Sequence, residues 1–128
     1  MATRTSRARA SALRPAVDLP DEIGRARIVL PEKIARDSIV YVRTLVSHPM
    51  HTGLFNTPEG APIAAHWIED VVVTYGDEEV ARFAWTSGIS RDPFVTFPLK
   101  ATREAPLRIT WKDNLGATYR QTANLRFS

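Results

Sequence analysis

Leu107-Arg108-Ile109-Thr110-Trp111-Lys112-Asp113, then Asn114-Leu115-Gly116, then Ala117-Thr118-Tyr119-Arg120-Gln121-Thr122-Ala123-Asn124-Leu125-Arg126-Phe127, is the stretch that decides the fold. Successive side chains of an extended chain point to opposite faces. Leu107, Ile109 and Trp111 therefore share one face, and Arg108, Thr110 and Lys112 the other. After the turn, Ala117, Tyr119, Ala123, Leu125 and Phe127 lie opposite Thr118, Arg120, Thr122, Asn124 and Arg126. Two strands with clean apolar-in, polar-out alternation, joined by a short Gly-containing turn, predict an antiparallel hairpin with one wet face.

The same period runs back toward residue 25. It predicts strands over 25–30, 38–47, 66–75, 79–85 and 94–101, ahead of the last two at 107–113 and 117–127. Pro31, the Pro/Gly-rich loop 48–65, Gly76-Asp77 and Asp92-Pro93 punctuate them. No segment beyond residue 30 keeps a helical period. Seven strands with turn signals between them predict an all-β, immunoglobulin-like antiparallel β-sandwich over residues 25–128, with residues 1–24 as a disordered Arg/Ala/Ser-rich tail.

Strands two and three break the alternation. Val40, Val42 and Val46 lie on one face of strand two, yet Ile39, Tyr41 and Leu45 lie on the other; strand three, with Ile68, Val71, Val72 and Val73, is apolar on both faces too. A sandwich core covers one face, so a loop, the tail or another chain has to cover the second.

Composition excludes several functions. The 128 residues contain no cysteine, which removes disulfides, thiolate nucleophiles and cysteine-held metal clusters. The net charge of +3 sits in the head: residues 1–27 carry six arginines against Asp18, Asp21 and Glu22, and residues 28–128 balance eleven basic against eleven acidic side chains. A nucleic-acid partner is not expected from a neutral fold. No apolar run approaches the roughly 20 residues of a membrane helix. The head has a transit-peptide-like composition but no apolar central region and no twin arginine, so no secretory signal of its own is expected.

Catalytic residues are not evident. Glu69 and Asp70 are neighbours on a strand and cannot act as a facing pair, Asp77-Glu78-Glu79 reads as a solvated turn, and no Gly-rich phosphate loop occurs. His48-Pro49-Met50-His51 offers imidazole and thioether groups that suit copper, giving an alternative reading as a periplasmic copper-binding protein through His48, Met50 and His51. The other reading of this run is a loop anchor. Trp111 and Trp85 are expected in the core and Trp67 at its rim.

The run Thr44-Leu45-Val46-Ser47-His48-Pro49-Met50, with Gly53 behind it, resembles the T-L-I-S-H-P-M-x-x-G run of SoxZ proteins. Phe83-Ala84-Trp85 and Ser90-Arg91-Asp92-Pro93-Phe94-Val95-Thr96-Phe97 are similar to that family's F-x-W and S-x-N-P-Y-x-x-F patterns, with Asp92 and Phe94 in place of Asn and Tyr. Ala101, Thr110-Trp111-Lys112-Asp113 and Gly116 follow its closing pattern. The resemblance spans about residues 27–128. It implies a non-catalytic subunit, without cofactor, that pairs with SoxY, whose cysteine carries sulfur intermediates of thiosulfate oxidation in the periplasm. It also implies export together with that partner. On this basis Ile39, Tyr41, Leu45 and Val72 are the expected partner-binding residues. The loop motif His48, Pro49, Met50 and Gly53 is expected either to anchor the fold or to touch the carrier arm or a client enzyme. Without its partner, the chain is expected to form homodimers through the uncovered patch.

Overall fold

β-Branched and aromatic side chains dominate the segments that become strands, as a pleated, half-buried surface favours. The computed structural model of the protein describes residues 23–128. It contains β1 (Ala26–Val29), β2 (Ile39–Val46), β3 (Ile68–Tyr75), β4 (Glu78–Ala84), β5 (Phe94–Lys100), β6 (Ala105–Asp113) and β7 (Thr118–Leu125). No helix occurs among the described residues. The strands form two sheets, β1-β2-β5 and β4-β3-β6-β7, and every pairing is antiparallel. This is the expected all-β sandwich. Each predicted strand is present, with both ends within two residues of the expected ones.

The core lies between the sheets. Val40, Val42 and Val46 of β2 and Phe97 and Leu99 of β5 meet Val71, Val73, Leu107, Ile109, Trp111 and Leu125 from the larger sheet. Burying each Val, Leu or Ile side chain contributes about 1.5–3 kcal/mol of transfer free energy, so these alternate positions fix which way each strand faces. Trp111 is buried, as expected; Trp85 and Trp67 are half-buried against the cluster.

The tail assigned to 1–24 lies outside the described residues up to position 22. Gly24 is already part of the fold: its N–H donates to the Ser47 carbonyl at 2.7 Å. Gly24 has φ of +89°, and a Cβ there would stand 2.1 Å from Cδ1 of Tyr119. Only glycine lets the chain enter so close over that ring.

Candidate functional site

Asp113 is in phase with Leu107, Ile109 and Trp111 and so points its carboxylate into the core. It is 1% exposed. A buried carboxylate is stable only when donors surround it. Oδ2 accepts from Nε2–H of His66 at 2.8 Å, from Nε2–H of His48 at 3.2 Å and from the Tyr119 hydroxyl at 2.7 Å. Oδ1 accepts from the backbone N–H groups of Leu115 and Ala117 at 3.0 and 2.9 Å. The same carboxylate thus closes the β6–β7 turn and ties it to both arms of the 48–66 loop.

His48 is fully buried at the end of β2, in phase with Val42 and Val46. Its backbone N–H donates to Asp92 Oδ1 at 2.9 Å, and the Asp92 N–H returns a bond to the His48 carbonyl at 2.9 Å. Asp92 has φ of 51°, a conformation that Asp and Asn tolerate best. Met50 also has positive φ, 54°. This turns its thioether inward, where it accepts the Ile68 N–H at 3.3 Å. His51 and His66 then pair through their backbones, at 2.7 and 3.0 Å, and begin a small arm. Gly53, the last motif position, has φ of +86° and lies against Ala65, 3.2 Å from where its Cβ would be.

Burial holds the His48 imidazole below its ordinary value, against the raising effect of its bond to Asp113. Burial alone would raise Asp113, but the bonds from Tyr119, His66, Ala117 and His48 outweigh it and keep the carboxyl well below the usual range. Burial and the adjacent carboxylate push the Tyr119 phenol well above its ordinary value.

His48, His66 and Asp113 bring three candidate metal-ligand atoms within 4.8 Å of one another. Hydrogen bonding assigns them otherwise. Nδ1 of His48 lies 3.4 Å from the Met50 N–H as its acceptor, an arrangement that favours the tautomer with the ring proton on Nε2, aimed at Asp113. A metal on Nε2 requires the opposite tautomer, with a proton on Nδ1 facing another donor. The cluster is a hydrogen-bonded pin between sheet end and loop. The copper set is not assembled either: His48 faces Asp113, the Met50 sulfur is engaged by Ile68, and His51 is exposed. His48 and Met50 are interior groups and cannot touch a client directly, which corrects that reading of the motif. The large apolar groups that the loop does expose are Leu54 and Phe55, at 84% and 68% exposure.

The outer face of β1-β2-β5 is the second feature. The register sets Arg27 beside Leu45 and Leu45 beside Phe94, Val29 beside Arg43, and Tyr41 beside Pro98, with Ile39 next to Lys100. Ile39, Tyr41 and Phe94 are 57%, 62% and 61% exposed. This is one continuous apolar stripe with three cations and no carboxylate. A depression of about 80 Å³ opens between Val29, Leu45, Phe94 and the two arginines. Val72 does not belong to the stripe. It is half-buried on the outer face of the other sheet, between Arg82 and Thr110, and a patch joining it to Tyr41 is ruled out because the whole core lies between them.

The sequence matches the family described as "Sulphur oxidation protein SoxZ" over residues 28–124. The chain belongs to the SoxZ family. No curated protein matches it. Among solved structures it is similar to a superoxide reductase (neelaredoxin) from Ignicoccus hospitalis, at 23% identity and TM-score 0.60 over 80% of each chain. A putative superoxide reductase from Thermotoga maritima matches at 18% and 0.61, over 80% of this chain and 85% of that one. The sulfur carrier protein SoxY from Chlorobium limicola f thiosulfatophilum matches at 17% and 0.55, over 80% and 78%. At these identities the likeness is one of fold.

Within this SoxZ-family chain the Thr44–Gly53 motif has a structural account from one end to the other. Thr44 donates to the Val95 carbonyl at 3.0 Å, His48 and Met50 are pinned inside, and Gly53 makes the turn. Asp113, His66 and Tyr119 were not combined into a site from sequence. The available signal was an acid in phase with Leu107, Ile109 and Trp111, which has to find buried donors. Phe94 and Val29 were also missed as surface groups, although period two places Phe94 with Thr96 and Pro98, opposite Phe97 and Leu99.

Proposed function

We propose that this chain is the non-catalytic subunit of a SoxYZ-type sulfur carrier complex, binding a SoxY-like protein through the outer face of β1-β2-β5. The SoxY-like partner presents the cysteine that carries sulfur intermediates of thiosulfate oxidation; this chain has no cysteine to do so. The observation that carries the reading is the exposed stripe of Ile39, Tyr41, Leu45 and Phe94, flanked by Arg27 and Arg43. Permanent partners bury about 2,000 Å² or more around an apolar centre, and Tyr, Phe and Arg are enriched in such centres. In this reading the chain reaches the periplasm bound to its partner. Alone, it pairs with itself through the same stripe.

Native mass spectrometry of the chain co-expressed with the SoxY-like protein tests this. A one-to-one heterodimer that survives purification, and that Tyr41→Ala with Leu45→Ala dissolves, supports the reading. A heterodimer indifferent to the double substitution moves the interface elsewhere, and no heterodimer at all overturns it. Cell fractionation tests export: the chain should be periplasmic only when the partner is present.

A further inference from the structure

The second sheet has an unpartnered outer face of different chemistry. On β6 the outward positions are Pro106, Arg108, Thr110 and Lys112, and on β7 Thr118, Arg120, Thr122 and Asn124. The register pairs Lys112 with Thr118, Thr110 with Arg120, and Arg108 with Thr122. Each cation therefore faces a threonine, and the three cations zigzag across neighbouring strands with no carboxylate on the outer face of either. Residues this close repel one another, yet none of Arg108, Lys112 and Arg120 makes a salt bridge within the described residues. Asp70 stands opposite Lys112 in register, but it is held by Arg82 at 2.9 Å; Arg82 also binds Glu79 at 3.1 Å. Chain composition hides this: residues 28–128 are neutral in sum, but the fold segregates the charges.

We propose that the β6–β7 half of this face docks a carboxylate-rich surface of a second protein, distinct from the partner on β1-β2-β5. Charge complementarity argues for the occupant. A shallow depression of about 390 Å³ has Val72 and Thr110 at its centre, Arg82 and Arg120 on opposite sides, and Lys112, Thr118 and Asp70 at its end, the Asp70 carboxylate being engaged by Arg82. A protruding Glu side chain fits its chemistry: methylenes on Val72, carboxylate on Arg120 and Lys112, with Thr110 and Thr118 as further donors. The flat, open setting offers a free oxyanion no buried donor. Nucleic acid fits less well, because the face carries no aromatic side chain for stacking and Glu78 and Glu79 stand at its β4 edge. Exposed cations of this kind speed association and confer salt dependence more than they hold a permanent complex. The surface thus fits a transient partner, such as an enzyme that visits the carrier complex.

The test is amide NMR of the full chain titrated with hexaglutamate at low ionic strength. Saturable shifts are expected at Arg108, Thr110, Lys112, Thr118 and Arg120, absent from β2 and lost at high salt. Lys112→Glu with Arg120→Glu should weaken binding at least about tenfold, and the milder Lys112→Gln with Arg120→Gln, which keeps the strands' polarity, should weaken it less. Both variants should keep the dispersed spectrum and the mass of the heterodimer, which separates this proposal from the β1-β2-β5 reading. Shifts centred on Arg27 and Arg43, or reversal variants that bind as well as the native chain, overturn it. So does sodium sulfate producing the same saturable shifts, which would make this a small-oxyanion site, or a single-stranded oligonucleotide binding more tightly than hexaglutamate.

Discussion

On the outside of β1-β2-β5, Leu45 lies against Phe94 and Tyr41 against Pro98. On the outside of β4-β3-β6-β7, the corresponding neighbours are Thr110 with Arg120 and Lys112 with Thr118. The second sheet carries two register shifts along β3 and the first none, yet both cover the same core. What differs is the price in water: the first face leaves large apolar groups in solvent, whereas the second is content there. The difference teaches that the faces suit different kinds of contact, the first tight and desolvated, the second wet and electrostatic.

The most severe way to break the comparison is to remove what both faces share. Asp113→Ala strips five donors of their acceptor and leaves His48 and Tyr119 unpaired inside. It should cost on the order of 3–5 kcal/mol in urea unfolding, and partner binding through either face should fall with it. If stability changes by less than about 1 kcal/mol, the buried cluster is not the pin described.

Next comes Tyr41→Ala with Leu45→Ala. Truncating two central interface groups should lose roughly 3 kcal/mol or more of partner affinity, above a hundredfold, measured by titration calorimetry. Both groups are exposed in the free chain, so its own melting temperature should hardly move. Val72→Ala is the sharpening control, expected to leave partner affinity unchanged because Val72 belongs to the other face; a hundredfold loss there would mean that the interface wraps both sheets.

The smallest effect is in pH. His48 is held below its ordinary value of 6.5 in the folded chain, so its stabilisation is present above that value and is lost as pH falls below it. Asp113 is likewise depressed from 3.8 and loses its contribution on further acidification. Tyr119 is raised above 10.0, so its contribution is present below 10 and is lost as pH rises beyond. Denaturation midpoints should therefore plateau between about 6.5 and 10 and fall on both sides. A midpoint that keeps rising below pH 6 would show that His48 is protonated in the folded state.

Much of this was legible in the chain because alternation is a local property. The hairpin from Leu107 to Phe127 can be read from period two alone, and the double-faced pattern of Ile39–Val46 already requires a cover that the core cannot provide. The resemblance to SoxZ rested on contiguous runs, from Thr44 to Gly53 and from Ser90 to Phe97, and residues 28–124 bear it out. Tertiary structure alone decided three things. It put Val72 and Tyr41 on opposite sides of the molecule, since sheet membership depends on pairing between strands far apart in sequence. It turned His48 from a surface ligand into a buried donor by bringing Asp113, 65 positions away, within 3.2 Å. It also gathered Arg108, Lys112 and Arg120 on one face of a domain whose charges sum to zero, because a sum over residues carries no information about where side chains point.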